Sequence, residues 1–423
     1  MSKYRTFCFD NYVFDKANKT LVLRYNFDSQ ESLEERYVFN CDFVDYNQDA
    51  LDRALQLLFL MAGISYYKAY LPPKIITKNL TIDPTVANFL SKTYQKGLGE
   101  FFYENSLAFN NSIEFPITAT EISPLEIDSD GTLVAVGGGK DSIVSVEKMK
   151  GNLDVTTWSL GHRQQLEPLI KQLDTEHIWV ERQLDPKLFK LNSQGAYNGH
   201  VPISAIFGCV GAILCILTGK KDIVMSNEYS ANEETMVYQG YKINHQYSKT
   251  SEFEEDFQRI LTHLFGNGIR YYSLLRPFSE LQISEMFAQY FDKYRDVFSS
   301  CNRAFVQRSD ALGWCGECPK CVFTFLALAT YLDIDQVTAL FGGKNLLLNK
   351  DLRKSFQKLI SSDQRKHFDC VGTIEESRYA MKQLLDQFPE SKALFGELHT
   401  NYDHATTQPH LIPQDIVSKL DLL

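Results

Sequence analysis

The pattern of apolar and polar positions changes along the chain. Over roughly the first forty residues the two kinds of side chain alternate, as in KTLVLRYNFD and ERYVFNCDFV, which predicts half-buried antiparallel strands. From about Asn47 apolar residues recur at helical spacing, through ALDRALQLLFLMAGISYYKAY and PTVANFLSKTYQKGLGEFFYENSLAF. The polar stretch ATEISPLEIDSDGT then indicates a linker. These features predict an N-terminal α+β domain over residues 1–125.

Strands and helices alternate from Thr132 onward. TLVAVGGG precedes a helix, DVTTWSL precedes RQQLEPLIKQLD, and HIWVERQL precedes a loop, a long apolar helix and the strand DIVMSN. This alternation predicts an α/β domain with a doubly wound parallel sheet over residues 126–330. After Cys321, the segments FTFLALATYL, DLRKSFQKLI and EESRYAMKQLLDQF predict a helical C-terminal region over residues 331–423.

The stretch VPISAIFGCVGAILCILTG, from Val201 to Gly219, carries no charge and has the length of a membrane span. Pro202 stands where a helix tolerates proline, and Gly219 stands where helices commonly end. A helix that is apolar on all sides and lies between two strands is typical of a layered α/β core. We therefore predict a buried core helix and no membrane span.

Composition narrows the function classes. The 423 residues are enough for two or three domains. The net charge of -10 argues against a nucleic-acid scaffold but leaves room for a local basic pocket that binds a phosphorylated small molecule. No apolar segment follows the first Lys and Arg, so no secretory signal is expected. The nine cysteines favour a reducing cytoplasm over a disulfide framework. The sequence leaves the oligomeric state undetermined.

Three consecutive glycines, Gly137, Gly138 and Gly139, interrupt the segment TLVAVGGGKDSIVSVEKMKGN between a strand and a helix predicted to start at Ser142. Glycine allows a sharp turn and the close approach of a ligand, and a helix N-terminus attracts anions. A plain glycine-rich turn is the alternative. The Walker A pattern fails because Asp141 follows the lysine, and the GxGxxG pattern fails because Ser142 occupies its last glycine position.

This stretch resembles the pyrophosphate loop SGGxDS of the ATP pyrophosphatase family, whose members split ATP into AMP and pyrophosphate. The motif positions are occupied by Gly138, Gly139, Asp141 and Ser142, with Lys140 in the variable place. Gly137 replaces the first serine of the motif, so one hydroxyl contact to phosphate is absent, which the charge of Lys140 can offset. A carboxylate beside a polyphosphate is repulsive unless it orders the loop or faces a cation, so Asp141 suggests a bound Mg²⁺ nearby.

The segment WCGECPKC places Cys315, Cys318 and Cys321 at C-x-x-C-x-x-C spacing, and Cys301 is the natural fourth thiolate. This pattern predicts a structural Cys₄ zinc site, with an iron–sulfur cluster or no metal as alternatives. The remaining cysteines are isolated in sequence and are interpreted as buried apolar residues. They are Cys8, Cys41, Cys209, Cys215 and Cys370.

Three further segments are too polar to be core. NSQGAYNGHVPISA contains His200 directly before the apolar helix, and KINHQYSKTSEFEEDF contains His245 and Lys249. SNEYSANEET follows a strand, so Asn227 and Glu228 should lie at the carboxyl ends of the parallel strands, where open α/β sheets bind ligands. Catalytic histidines and merely hydrogen-bonded histidines are about equally expected here.

The order of GGGKDS, NGHVPISA, SNEYSAN, INHQYSK and WCGECPKC, with FLMAGISYYKAYLPP near the N-terminus, resembles the UDP-N-acetylmuramoyl-L-alanyl-L-glutamate epimerase family. The cysteine pattern also resembles the zinc site of 7-cyano-7-deazaguanine synthases, which are shorter and lack an N-terminal domain. The epimerase resemblance implies an ATP- and Mg²⁺-dependent inversion of the terminal L-glutamate of UDP-MurNAc-L-Ala-L-Glu. The reaction would pass through a carboxyl adenylate, release AMP and pyrophosphate, and serve peptidoglycan precursor synthesis.

On this basis we assign residues 137–142, Asn227 and Glu228 to the ATP site, with Glu228 as a candidate Mg²⁺ ligand. His245 and His200, with Lys249 as a further candidate, are assigned to proton transfer. Another adenylating enzyme, such as a base-modifying synthase or an amide-forming ligase, is one alternative, although no glutaminase motif is apparent. The other is a non-catalytic, zinc-stabilised nucleotide-binding module, which does not explain the polar histidine segments.

Overall fold

The computed structural model describes residues 2–109, 112–305, 312–361, 369–388, 392 and 395–422. Within these residues eleven strands form one nine-stranded sheet and one separate hairpin. The strands are β1 (Thr6–Asp15), β2 (Thr20–Phe27), β3 (Glu31–Asn40), β4 (Lys74–Thr77), β5 (Thr132–Ala135), β6 (Val155–Leu160), β7 (Glu176–Gln183), β8 (Asp222–Met225), β9 (Met236–Tyr238), β10 (Tyr241–Ile243) and β11 (Arg270–Ser273).

Helices pack around this sheet and bury their apolar side chains against it. They are α1 (Gln48–Ala62), α2 (Ile64–Tyr67), α3 (Pro84–Gly97), α4 (Gly99–Glu104), α5 (Lys140–Met149), α6 (Arg163–Leu173), α7 (Pro186–Ser193), α8 (Ile203–Thr218), α9 (Ser251–Phe265), α10 (Glu280–Ala288), α11 (Phe291–Tyr294), α12 (Pro319–Leu328), α13 (Ile334–Leu340), α14 (Arg353–Ile360), α15 (Ile374–Gln387) and α16 (Gln414–Leu420).

The large sheet has the order β11-β8-β5-β6-β7-β3-β2-β1-β4. The first five strands in this order are parallel, as predicted, and the chain leaves β5 first toward β6 and later toward β8. This reversal places a topological switch point at the carboxyl end of β5, where open α/β sheets bind ligands. The α/β class is confirmed, with a sheet that is mostly parallel.

The predicted doubly wound sheet is, however, only part of a larger mixed sheet. β3 pairs antiparallel with β7, with Phe39 opposite Val180, so the N-terminal strands extend the parallel half. Without this pairing, the N–H and C=O groups along one edge of β3 and one edge of β7 would lack hydrogen-bond partners. Pairing of the two strands satisfies both sets of backbone groups. The division at residues 125 and 330 stays a prediction.

Alternate residues of β5 face two separate cores. Leu133 and Ala135 belong to the core that contains α1, α8 and α9, whereas Val134 and Val136 belong to the core of α5, α6, α10 and α12. Burial on both faces explains why this strand is apolar throughout. The glycine segment follows β5 directly, so both cores fix its position.

The apolar stretch after His200 is the buried core helix α8, as predicted. It packs against α1, and it ends at Gly219, which adopts the left-handed conformation. A Cβ atom at Gly211 would lie 2.7 Å from Ile223 Cγ2, so glycine permits α8 to approach β8 closely. Among the described residues no helix combines the length and apolar character that crossing a membrane requires.

Candidate active site

The glycine segment forms the turn between β5 and α5. The helix starts at Lys140, two residues before the predicted position. Gly138 has φ of 91°, and a Cβ atom there would lie 2.9 Å from Phe305 Cζ. A Cβ atom at Gly139 would lie 2.9 Å from Ser300 Oγ, whereas one at Gly137 would meet nothing within 4 Å. The turn therefore requires glycine at position 138, whereas a Cβ atom at position 139 would require the Ser300 side chain to move.

The N-terminus of α5 has no side-chain cap. Gly139 is the N-cap residue, and Ser142 Oγ donates a hydrogen bond to the Gly139 carbonyl at 3.0 Å and so leaves the first helical N–H groups unoccupied by a side chain. Uncapped N–H groups at a helix N-terminus, together with the helix dipole, favour an anion. The local structure thus suits a phosphate group, as the resemblance implies.

This helix N-terminus opens into a cleft of about 380 Å³ at the carboxyl ends of β5 and β8. The cleft wall includes Gly137, Gly139, Asp141 and Ser142 on one side and Ser226 and Asn227 on another. Asn227 Nδ2 donates a hydrogen bond to Ser273 Oγ at 3.0 Å, which fixes the amide. The polar part of the lining also includes Lys249, Lys320 and Cys370.

The Lys140 side chain is buried, and its ammonium group contacts two carboxylates. Nζ lies 2.5 Å from Asp141 Oδ1 and also forms an ion pair with Glu280. Burial lowers the pKa of Lys140, but the two carboxylates outweigh burial and raise it. Lys140 is therefore protonated, and its charge is already compensated by protein groups.

Asp141, Glu228 and Glu280 form a carboxylate cluster in which the two glutamates are buried. One oxygen of each lies within 4.8 Å of the others. Burial, with Asp141 and Glu228 close by, raises the pKa of Glu280 to about 7. Glu280 Oε1 is buried and has no hydrogen-bond partner among the described residues. The sequence pointed to Asp141 and Glu228 but not to Glu280, which begins α10 within an unremarkable helical pattern.

His200 and His245, which the sequence analysis assigns to proton transfer, lie together. Their ring centroids are 4.7 Å apart, His245 Nδ1 hydrogen-bonds Glu100, and His200 Nδ1 lies 3.7 Å from the same carboxylate. Burial and the neighbouring His245 lower the pKa of His200 to about 4. Burial also disfavours the charged form of His245, but hydrogen bonds to Cys370 and Glu100 outweigh it and raise the pKa to about 9. One ring is therefore neutral and the other protonated at pH 7.

Lys249 lies beside Cys370, which the sequence interpretation placed among isolated apolar cysteines. That interpretation is wrong, because Lys249 Nζ donates to Cys370 Sγ at 3.3 Å and both side chains line the cleft. Burial alone would raise the pKa of the Cys370 thiol, but the Lys249 ammonium and the His245 hydrogen bond outweigh it and lower the pKa to about 6. No local pattern marks this cysteine.

The four predicted cysteines converge on one point. Their Sγ atoms all lie within 4.8 Å of one another, with 3.9 Å between Cys301 and Cys318 and 3.7 Å between Cys315 and Cys321. Thiolates bound at about 2.3 Å around one tetrahedral zinc ion stand about 3.8 Å apart. Backbone N–H groups donate to two of the sulfurs, at 3.3–3.4 Å, which stabilises thiolates.

The cysteine cluster adjoins the glycine turn. Cys301 lines the cleft, and its neighbour Ser299 donates a backbone hydrogen bond to the Gly138 carbonyl at 3.0 Å. Cys318 is the N-cap residue of α12, and Cys321 lies in the first turn of that helix. The cluster thus ties the segment at residues 299–302 to α12 and holds it against the turn.

Comparison with known protein families decides to which family the chain belongs. Residues 1–274 match the family model of the MurL N-terminal domain, and residues 297–408 match that of the MurL C-terminal domain. The chain belongs to the MurL family. The family predicted from the order of motifs is confirmed, and both matched segments contribute side chains to the cleft of this MurL chain.

Three curated relatives of this MurL chain carry the name UDP-N-acetyl-alpha-D-muramoyl-L-alanyl-L-glutamate epimerase. The protein of Xanthomonas oryzae pv. oryzae is 38% identical over 387 residues, which are 90% of this chain and 85% of that protein. The proteins of Salinispora tropica and a Micromonospora species are each 38% identical over 341 residues, 80% of this chain and 74% and 76% of theirs. As a member of this family the chain is an enzyme of the isomerase class.

Proposed function

We propose that this enzyme inverts the terminal L-glutamate of UDP-MurNAc-L-Ala-L-Glu to D-glutamate, with ATP as second substrate and a carboxyl adenylate as intermediate. The names of the relatives support the epimerase activity and the sugar-nucleotide dipeptide substrate. One observation carries the ATP-dependent mechanism: the glycine turn, the uncapped N-terminus of α5 and the Lys249–Cys370 pair all face one cleft.

The chemistry explains why the inversion needs activation. The α-proton of a carboxylate is too weakly acidic to remove, because the carbanion would form beside a negative charge. Attack of the glutamate α-carboxylate oxygen on the α-phosphorus of ATP releases pyrophosphate and leaves an ester-like acyl adenylate. A base can then take the proton, and reprotonation on the other face inverts the centre. Hydrolysis releases the product and AMP.

The cleft suits the nucleotide in size and polarity. Its volume of about 380 Å³ falls within the range of small-molecule sites. We assign the phosphates to the N–H groups of residues 137–142, and Asn227 to the adjacent wall. Lys140 supports this loop from below by neutralising Asp141 and Glu280, and does not itself line the cleft in the described structure.

Asp141, Glu228 and Glu280 have the composition of a Mg²⁺ site. Hard cations of this kind take carboxylate oxygens. Glu280 Oε1 is buried and has no hydrogen-bond partner among the described residues, with Lys320 Nζ 3.8 Å away, so it is an available ligand atom. When bound, the ion would neutralise charge on the triphosphate and the leaving pyrophosphate. The three carboxylates would hold it beside the N-terminus of α5.

Proton transfer falls to the group formed by His245, His200, Lys249 and their neighbours. His245 and Lys249 flank Cys370 at the cleft, and His200 stands against His245. The pKa of His200 is lowered to about 4 and that of His245 is raised to about 9, so one ring is neutral and the other is protonated at neutral pH. We assign the Cys₄ cluster to a structural zinc ion. The cytoplasmic location of the protein stays a prediction.

The proposed function is tested by incubating the enzyme with UDP-MurNAc-L-Ala-L-Glu, ATP and Mg²⁺ in D₂O. We expect AMP, pyrophosphate and D-glutamate that carries deuterium at the α-carbon. D-glutamate without any dependence on ATP would disprove the adenylate route while leaving the epimerase intact. AMP release without deuterium would instead favour a different adenylating reaction.

A further inference from the structure

Cys370 lines the cleft, and the proposed mechanism leaves it without a role. We propose that Cys370 is the catalytic base that removes the α-proton of the adenylated glutamate. This inference rests on the proposed function and names the group that performs its central step. It also gives His245 and Lys249 a definite task, which is to hold the sulfur as a thiolate.

Cys370 lies at the wall of the cleft. Its half-buried side chain lines the cleft that also contains Gly139 and Asp141, so the sulfur faces the space assigned to the activated carboxyl group. His200 is not among the described residues that line this cleft. Of the assigned proton-transfer residues only Lys249 reaches the lining.

The Cys370 sulfur has positively charged surroundings. Three basic side chains face the thiol. They are Lys249, in the turn before α9, His245, after β10, and Lys320, in α12. The Glu100 carboxylate contacts His245, and the Glu228 and Asp141 carboxylates act on Lys249. Cationic neighbours stabilise a thiolate, which is both a base and a nucleophile.

The protonation states exclude the neighbours as the base. The pKa values of Lys249 and His245 are both raised, so each already carries its proton at neutral pH and cannot accept another. The pKa of Cys370 is lowered to about 6, so the thiolate is the proton acceptor of the three. A base near neutrality is the most effective one at physiological pH.

The thiolate takes the α-hydrogen as a proton, and the C–H bonding pair moves toward the acyl carbonyl to form an enolate. The Lys249 ammonium and the His245 imidazolium remain charged and offset the negative charge transferred to the substrate. A water molecule then protonates the opposite face of the α-carbon, and the resulting hydroxide takes the proton from the Cys370 thiol. One solvent hydrogen therefore enters the product at each inversion.

The test uses the full-length variants Cys370→Ala and Cys370→Ser in D₂O with both substrates and Mg²⁺. We expect single-turnover AMP formation to persist while deuterium incorporation at the α-carbon falls by about 100-fold or more. Cys41→Ser is the matched control, because Cys41 is another half-buried cysteine, at the end of β3 away from the cleft. The control should retain both activities.

The outcomes separate this inference from the proposed function. Exchange retained in both Cys370 variants overturns the role of the thiolate and leaves the epimerase mechanism intact. AMP formation lost together with exchange also overturns it, because the residue would then serve adenylation or folding. A wild-type enzyme that makes neither AMP nor D-glutamate defeats the proposed function itself.

A measurement on the unmodified enzyme guards against misfolded variants. Iodoacetamide at neutral pH should alkylate Cys370 faster than Cys41, whose pKa burial raises to about 11. ATP and the dipeptide substrate should protect Cys370 from the reagent. Equal rates at the two cysteines, or no protection, would contradict the proposal.

Discussion

Lys249 Nζ lies 3.3 Å from Cys370 Sγ, although 121 residues separate the two along the chain. The first residue comes from the segment that matches the MurL N-terminal domain and the second from the segment that matches the C-terminal domain. The cleft is therefore complete only when both segments fold together. An ammonium group at this distance stabilises a thiolate over a thiol.

Replacement of Lys249 by methionine should raise the pKa of the Cys370 thiol. Burial already pushes that pKa upward, and the Lys249 charge is the strongest opposing influence. Without it the thiolate fraction at pH 7 should fall by about tenfold or more, since one pKa unit corresponds to a factor of ten. The check is the pH dependence of alkylation at Cys370, followed by peptide mass spectrometry.

Lys220→Met is the control for this change. Lys220 forms an ion pair with Asp154 at 2.7 Å and takes no part in the cleft lining, so its loss removes a lysine charge without touching the thiol. An alkylation profile that moves equally in both variants would show that net charge, and not the contact with Lys249, controls Cys370.

The rate of epimerisation should have a bell-shaped pH dependence. Below about pH 6 the Cys370 thiolate is protonated and the base is lost, which gives the acidic limb. Above about pH 9 His245 loses its proton, and with it the positive charge that offsets the enolate, which gives the basic limb. The measurement is kcat/KM for D-glutamate formation from pH 5 to pH 10, at saturating ATP.

A His245→Gln variant tests the assignment of the two limbs. Glutamine keeps a hydrogen-bond donor but does not titrate, so the basic limb should disappear and the acidic limb should move upward. The rate of AMP formation should keep its own pH profile. Unchanged limbs in the variant would remove His245 from the set that positions Cys370.

The parts of the site that could be predicted from the sequence are local. The turn at residues 137–139 and the cysteine spacing each lie within a short segment, and backbone geometry alone brings such residues together. The buried helix α8 was also predictable, because its proline, glycine and apolar run are contiguous. His200 and His245 were singled out because each lies in a polar segment, but their contact with each other was not predicted.

The missed residues are those brought in by long-range packing. Glu280 meets Lys140 across 140 positions, and Glu100 meets His245 across 145. Each lies in a helix whose pattern shows nothing beyond amphipathic packing. Cys370 is a further case, since a single cysteine with no neighbouring motif has the sequence signature of a core residue. The antiparallel junction of β3 with β7 was missed because register and edge pairing depend on the folded sheet.

Glu228→Gln should weaken Mg²⁺-dependent adenylation without loss of stability. The substitution removes one of three clustered carboxylates, so the free enzyme loses repulsion while a cation loses a charged ligand. We expect AMP formation to fall by about 100-fold and the Mg²⁺ concentration for half-maximal rate to rise by about tenfold. Kinetic titration with Mg²⁺ and thermal unfolding of the same sample measure the two effects.

Glu234→Gln provides the comparison for this variant. Glu234 pairs with Lys242 on β10 and lies outside the cluster, so its substitution should change neither the Mg²⁺ requirement nor stability by much. A Glu228 variant that unfolds several degrees below the wild type, with an unchanged Mg²⁺ requirement, would indicate a structural role and contradict the metal assignment.

The purified chain should contain one zinc ion, and Cys318→Ser should lose it. Removing one ligand of a closed Cys₄ site breaks the link between residues 299–302 and α12, which we expect to cost several kcal/mol of folding free energy. Because Ser299 holds the Gly138 carbonyl, the KM for ATP should rise as well. Elemental analysis gives the metal content, and denaturant unfolding gives the stability.

Cys8→Ser serves as the reference, since Cys8 is a buried cysteine outside the cluster and should affect core packing but not metal content. Visible absorption typical of an iron–sulfur cluster in the anaerobically purified enzyme would disprove zinc. Full zinc occupancy in the Cys318 variant would disprove the ligand set.

The three glycines of the turn should respond differently to substitution. Gly137→Ser should fold normally, because a Cβ atom there has open space, and its hydroxyl should restore the phosphate contact that the pyrophosphate-loop motif contains. We expect the KM for ATP to fall by about threefold or more, since hydrogen bonds to charged groups are among the stronger ones. Steady-state kinetics with varied ATP measure this change.

Gly138→Ala should do the opposite. Its backbone has φ of 91° and the new methyl group would press on Phe305, so stability should fall by about 1–2 kcal/mol. The affinity of the site for ATP should fall as well. Gly151→Ala, just after α5, is the matched control, because it has neither a positive φ nor a neighbour within 4 Å. Equal effects at Gly138 and Gly151, or a higher KM in Gly137→Ser, would show that this turn does not hold the phosphates.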